Sequence, residues 1–259
     1  MKSPENPPGF VVRTEAQKAA WDNGFRLERG VEDGWLRFAS ATANGEIWLA
    51  GASPHGPWFL SISHPGVAEE IASGAVAMGG PGVKTLEFSN LAALYAAIAR
   101  AYQLGVSLPD APLQAFRKAS AGMPRTTEAE RLTVERIGQD VFRKSLLAYW
   151  NNHCPMTGVT EPSLLRASHI VPWAECDNDA HRLDVHNGLL LSALWDAAFD
   201  AGKISFADDG QVLFHPSLGA TERALLLANA APRLVALSPK HLINMDRHRK
   251  RSGFQRPLL

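Results

Sequence analysis

Cysteine is scarce in this chain of 259 residues. Cys154 and Cys176 are the only two, too few for a disulfide framework. No apolar run reaches the roughly 18 residues that a membrane span requires. The opening stretch, MKSPENPPGFVVRTE, has no apolar core of the kind an export signal carries. The expectation is a cytoplasmic protein with no membrane partner. An excess of one charge is also missing: 26 basic and 26 acidic residues cancel, so no global field pulls the chain toward a polyanion. There is no internal repeat and no long low-complexity segment, which excludes a solenoid. What is present is a 46% hydrophobic composition, enough to bury a core over one large domain or two modest ones.

The charges are unevenly placed. Between Arg233 and Arg256 lie seven basic residues (Arg233, Lys240, Arg247, Arg249, Lys250, Arg251 and Arg256) against one acidic, Asp246. Such a segment either neutralises phosphates or is the solvated end of a helix.

Residues 24–88 read as β-structure. WLRFASA and EIWLAGA alternate apolar and polar residues around Asn44-Gly45, a hairpin signal. PWFLSIS and KTLEFS make two further strands, separated by the Gly-rich GAVAMGGPG. A short helix is expected around Glu15–Trp21, and a longer one, capped by Ser89, from Asn90 to Gly105. Residues 106–126 are rich in Pro, Ala and Ser and read as a linker with one helical turn. Thr127 and Glu130 form a capping box for a helix running to about Trp150, with Ile137, Val141, Leu147 and Trp150 on its apolar face. The reading is α+β: a β-rich domain with a helix over residues 1–123, then a second domain over 124–259. Trp35, Trp48, Trp58 and Phe59 in the first domain either cup a target base or fill the core.

The second half changes texture. Cys154–Gly158 is a tight turn, and LLRASHIV becomes strand-like toward its end. A polar loop follows, then the apolar strand NGLLLS, the short helix ALWDAAFDAG and a hairpin turning at Asp209-Gly210. A histidine thus closes one strand and, eighteen residues later, an asparagine opens the next. That order suits phosphodiester hydrolysis. Histidine titrates near neutrality and can activate water. Hard carboxylates suit a divalent cation that offsets phosphate charge. Asp196 and Asp200, four apart, share one helix face.

The run from CPMTG through SHIVPW to NGLLLSALWDAAFDAGKISF resembles the His-Asn-His (HNH) endonuclease module of the ββα-metal type, in the subgroup found in bacterial restriction and defence proteins. The resemblance covers roughly residues 135–220. It implies His169 as general base and Asn187 as the residue that holds the loop and orients that base. It implies Asp196, nine residues after Asn187, as a metal ligand, with the rest of the shell drawn from Asp200, phosphate oxygens and waters. Ser168 departs from the pattern, standing where many such nucleases have a metal-binding carboxylate. Paired CxxC motifs for a structural zinc are absent. The implied cofactor is a divalent ion, Mg²⁺ or Mn²⁺, and the implied partner is double-stranded DNA, with modified DNA and a homodimer as open alternatives. Arg166, Arg182, Lys240, Arg247 and Arg249 are candidate DNA contacts. His181, His186 and His215 are expected to be non-catalytic, and Cys154 a packed small side chain. The implied activity is a metal-dependent DNA endonuclease of restriction type. The alternatives are a catalytically degenerate DNA-binding module and a nonspecific DNA-degrading defence effector.

Overall fold

Strand-forming residues dominate the first third of the chain, and they build one sheet. The computed structural model describes residues 3–77, 79–124, 126–228, 230–235 and 237–254. Met1 and Lys2 of the opening stretch, Met78 of the Gly-rich stretch, Arg125 beside the expected boundary and Arg256 of the basic segment lie outside the described residues. The chain divides into two compact units, residues 1–111 and 112–259. The division falls twelve residues before the expected 123/124 boundary, inside the stretch read as a linker.

In the first unit, helix α1 (Phe10–Asp22) precedes strands β1 (Leu27–Glu32), β2 (Trp35–Ala39), β3 (Glu46–Gly51) and β4 (Trp58–Ile62). Helix α2 (Pro65–Glu70), strands β5 (Ala75–Ala77) and β6 (Lys84–Phe88), and helix α3 (Leu91–Ser107) complete it. The strands form one antiparallel sheet in the order β1-β2-β3-β4-β6-β5. Helix α1 starts five residues earlier than the sequence suggests, at Phe10. The cap of α3 is Asn90 rather than Ser89: its side chain accepts from the Ala93 N–H at 2.9 Å. The Asn44-Gly45 pair ends a six-residue connection (40–45) instead of forming a two-residue hairpin. Trp35, Trp58 and Phe59 are buried, and Trp48 packs against the Trp35–Ala50–Phe59 cluster. Trp35, Trp58 and Phe59 are core and cannot receive a base, while Trp48 is half-buried.

The stretch expected as a linker contains a full helix, α4 (Asp110–Ala119). Its chemistry explains this. Asp110 in the first turn and Arg117 and Lys118 in the last complement the helix dipole. Pro112 falls in the first turn, where a missing N–H costs nothing.

The second unit continues with α5 (Glu128–Tyr149), β7 (Leu165–His169), α6 (Asp179–Arg182), β8 (Gly188–Ser192), α7 (Ala193–Asp200), β9 (Ile204–Phe206), β10 (Val212–Phe214), α8 (Ala220–Leu227) and α9 (Pro239–Arg251). The Thr127/Glu130 capping box is formed, with reciprocal bonds of 3.2 and 2.9 Å. The buried stripe of α5 includes Val134, Gly138, Phe142, Leu146 and Tyr149; of the expected Ile137, Val141, Leu147 and Trp150 face, only Trp150 is fully buried and the other three are half-buried. Gly138 hides that stripe from a reading based on hydrophobicity alone. Strands β7 and β8 pair antiparallel, Leu165 opposite Ser192 through His169 opposite Gly188. All of β8 is buried, because α5 packs against it as well as α7. The second unit therefore contains the expected β-β-α order, and the fold is α+β.

His248 on α9 anchors this unit and carries a pH prediction. Its ring is fully buried, stacked on Phe199 at 3.9 Å, with Nδ1 at 3.0 Å from the Ser205 hydroxyl and Nε2 at 3.1 Å from the Phe199 carbonyl. Burial pushes its pKa down from 6.5 to about 4, more than the Phe199 carbonyl raises it. Above pH 6.5 neither folded nor unfolded chain holds the extra proton. Between pH 6.5 and about 4 only the unfolded chain takes it up, so stability falls as pH falls through this window. The loss should reach on the order of 3 kcal/mol by pH 4. Urea titrations at pH 7 and pH 4.5 check this: His248→Gln should show a smaller drop than the parent protein, and equal drops would refute it.

Candidate functional site

His169 is the last residue of β7, and the structure fixes its ring on three sides. Phe142 of α5 stacks on it with centroids 3.8 Å apart and planes 16° from parallel. Trp173 meets it edge-on at 5.6 Å and 89°. The ring Nε2 lies 2.9 Å from the backbone carbonyl of Arg182. A carbonyl can only accept, so Nε2 carries the hydrogen and Nδ1 holds the lone pair. Nδ1 has no hydrogen bond among the described residues and is not sealed from solvent. Burial is the main reason the His169 pKa falls to about 4; the Arg182 carbonyl opposes the shift and the His181 charge adds to it. The imidazole is thus neutral at pH 7, with its proton-accepting nitrogen open.

Asn187 is completely buried one residue before β8. Its Oδ1 accepts from the Val171 N–H at 2.8 Å, and its Nδ2 donates to the Val171 carbonyl at 3.1 Å and to the Cys176 Sγ at 3.3 Å. Its own carbonyl accepts from Ile170 N–H at 3.0 Å. One side chain therefore ties down both arms of the connection between β7 and β8. Gly188, next to it, allows close approach of α5: a Cβ there would lie 2.5 Å from Phe142 Cζ and 2.8 Å from a Leu146 methyl.

Ser168 is buried, and its hydroxyl donates a hydrogen bond to Asp196 Oδ1. Successive strand residues face opposite ways. Ser168 accordingly turns to α7 while His169 turns to α5, and Asp196 and the imidazole flank the end of β7. In this geometry Ser168 orients the Asp196 carboxylate. Asp200 lies one turn further along α7 and lines a different hollow of about 300 Å³ with Lys203, His215, Arg251 and Ser252. Its pKa is raised, first by burial and then by the Asp196 charge, and Arg251 works against both. The structure thus places Ser168, His169 and Asp196 at the end of β7, with Asp200 one turn along α7 within reach of the Asp196 charge.

The donor set bears on the metal. Among the described residues, no three or more His, Cys, Asp or Glu side chains group to hold an ion. A protein-only cage is therefore not formed. A hard cation such as Mg²⁺ is commonly held by one or two carboxylates together with substrate phosphate and water. Asp196, aimed by Ser168 and partly exposed, fits that mode of binding.

The expected DNA-contacting cations divide. Arg249, expected on DNA, is instead buried, its guanidinium bonded to the Phe206 carbonyl and to Asp208, both at 2.8 Å. Arg182 spends its guanidinium on the Trp173 carbonyl (3.1 Å), the Cys176 carbonyl (2.9 Å) and Asp179 (3.2 Å), so it braces the β7–β8 connection. Arg166 is exposed and bonds the Ser163 and Leu165 carbonyls. Lys240 is half-buried and Arg247 exposed on α9. Elsewhere in the basic segment Arg233 pairs with Asp209, Lys250 with Asp246 and Arg251 with Glu175. Much of that segment is internally neutralised.

The three histidines expected to be non-catalytic are engaged. His181 Nε2 is 3.1 Å from Asn244 Oδ1, His186 Nδ1 is 2.7 Å from Asp184, and His215 Nδ1 is 2.8 Å from the Ser217 hydroxyl. Cys154 is fully buried. Reading the sequence missed Phe142, the Arg182 carbonyl and Asn244, which also donates to the His186 carbonyl at 3.1 Å. Trp173 lies in the SHIVPW stretch, but no spacing rule points to its contact with His169.

Residues 154–207 match the family described as HNH endonuclease. The match covers β7, β8 and the connection between them, α7 and β9, and it implies a nucleic acid substrate. No curated protein matches the chain.

Proposed function

We propose that the second unit is a metal-dependent DNA endonuclease of restriction type. The observation that carries this reading is His169 held at the end of β7 with Nε2–H on the Arg182 carbonyl and Nδ1 open. Nδ1 removes a proton from water as its oxygen bonds to phosphorus. The P–O3′ bond breaks, and the leaving oxygen takes a proton from solvent. Asp196 would hold the divalent cation, which, when bound, offsets the charge that develops on the phosphate. The negative phosphates of bound DNA raise the His169 pKa from its low value in the free protein toward neutrality, where a base works best. Asn187 and Arg182 keep the connection, and hence the ring, in place.

The first unit is proposed as the target reader. Trp21 is 58% exposed beside a hollow of about 450 Å³ floored by Phe25 and Phe38, and the Arg26 guanidinium sits 5.7 Å from its ring. An exposed indole is a surface on which a base can stack.

Supercoiled plasmid, unmodified or cytosine-modified, is the substrate for the test, with Mg²⁺, Mn²⁺ or EDTA. Cleavage should need the cation and vanish in EDTA. Ser168→Ala should raise the cation concentration for half-maximal rate by about tenfold, as expected when a partner that orients a ligand is removed. Asp196→Asn should raise it further. Cleavage in EDTA would end the metal-dependent reading. DNA binding without cleavage under every condition would favour a degenerate binding module. Cleavage indifferent to sequence and modification would favour a nonspecific effector.

A further inference from the structure

We propose that Trp173 and Gly138 are positioning residues for His169, acting as one packed pair. The proposal rests on the nuclease reading for its kinetic consequence, though not for its spectroscopic one. Helix α5 runs past the end of β7 with Phe142 against the imidazole face, and one turn earlier it presents Gly138. That missing side chain is where the Trp173 indole goes. A Cβ on residue 138 would lie 2.4 Å from Trp173 Cη2 and 3.1 Å from Cζ2. Real Cβ atoms are not found at the shorter distance, and a helix backbone cannot retreat without shifting Phe142 as well.

Trp173 in turn is joined to His169 by two routes. Its ring edge lies directly against the imidazole at 5.6 Å. Its carbonyl accepts from Arg182 Nε at 3.1 Å, the Arg182 guanidinium lies 5.8 Å from the indole centroid, and the Arg182 carbonyl accepts the His169 Nε2–H. Trp173, Arg182 and His169 thus form a closed circuit, and Gly138 leaves the space in which the Trp173 indole sits. The circuit fixes both the plane of the imidazole and the nitrogen that keeps its hydrogen. A displaced indole would tilt the ring, lengthen the Nε2 hydrogen bond and let the hydrogen move to Nδ1, which blocks the base.

The test has two arms. In the first, Gly138→Ala should lower the cleavage rate constant by on the order of 10²-fold, the cost of a misplacement near 1 Å. The affinity for DNA should stay within about twofold, because neither residue is placed on the nucleic acid. Adding Trp173→Phe to Gly138→Ala removes the two clashing ring atoms and should restore most of the rate. A merely structural role would not give that rescue. The second arm reads the His169 ring by ¹⁵N NMR in the full chain without DNA or metal. The parent protein should show the Nε2–H tautomer, and Gly138→Ala and Trp173→Ala should each show a mixture.

Wild-type rates and an unchanged tautomer in Gly138→Ala would overturn the proposal, as would a double variant no faster than Gly138→Ala at equal melting temperature. If Gly138→Ala does not fold, the tautomer in Trp173→Ala decides. If the parent protein proves not to be a nuclease, the ring spectra still confirm or refute the positioning.

Discussion

His169→Ala is expected to lower the rate of plasmid cleavage by about 10²–10⁴-fold, the usual cost of removing a general base. DNA affinity should be nearly unchanged, because the imidazole lies between Phe142, Trp173 and the Arg182 carbonyl and presents only Nδ1 outward. The chain should remain folded at some cost. The variant loses the stack on Phe142 and leaves the Arg182 carbonyl without its donor, together about 1–3 kcal/mol. No neighbouring histidine is free to take over: His181 is tied to Asn244 and His186 to Asp184. Single-turnover cleavage beside a thermal melt separates the two effects. A folded variant that cuts at the parent rate would remove His169 from the mechanism, and with it the proposed function.

Asn187→Ala should be the most damaging single change to the second unit. The amide is fully buried, and three of its hydrogen bonds, to Val171 N–H, the Val171 carbonyl and Cys176 Sγ, are shorter than 3.5 Å. Alanine leaves the Val171 N–H buried without an acceptor and opens a cavity where the amide was. Each unpaired buried group costs about 1–3 kcal/mol, so the total should be on the order of 3–5 kcal/mol. For a unit of this size that corresponds to a fall in melting temperature of roughly 10 °C. Cleavage should fall with it even below the melting point, because the connection carrying Trp173 and Arg182 loses its tether. A variant that melts within about 2 °C of the parent would show that the connection does not depend on Asn187. The contrast with His169→Ala is the informative part: one change removes chemistry and keeps the fold, while the other loosens the frame and loses chemistry as a consequence.

Elements of the fold were legible where local chemistry was decisive. The Thr127/Glu130 box started α5 where expected, because both partners of a capping box lie within four residues. The β7-loop-β8-α7 order was readable because an all-apolar LLL run marks a strand buried on both faces. Helix α4 exceeds the single turn expected because the Pro, Ala and Ser content of residues 106–126 reads as a linker, whereas Pro112 lies in the first helical turn. The buried stripe of α5 was misplaced because its central residue is a glycine, chosen for space rather than hydrophobicity. Charge was the least transferable signal. Arg249 and Arg182 read as surface cations, yet both are consumed by backbone carbonyls and acids close in space but distant in sequence or hidden in an irregular loop.

The sequence by itself determined the strand-closing His169, the strand-opening Asn187, the acid nine residues further on and the α+β class. These rest on order and short spacings, which a chain carries in one dimension. Only the tertiary structure decided which imidazole nitrogen is open, because the acceptor that fixes it is a backbone carbonyl thirteen residues away. Only packing showed that Ser168 aims Asp196 and that Gly138 makes room for the indole beside the base. Carbonyl positions and vacant space have no residue letter, so no reading of letters could supply them.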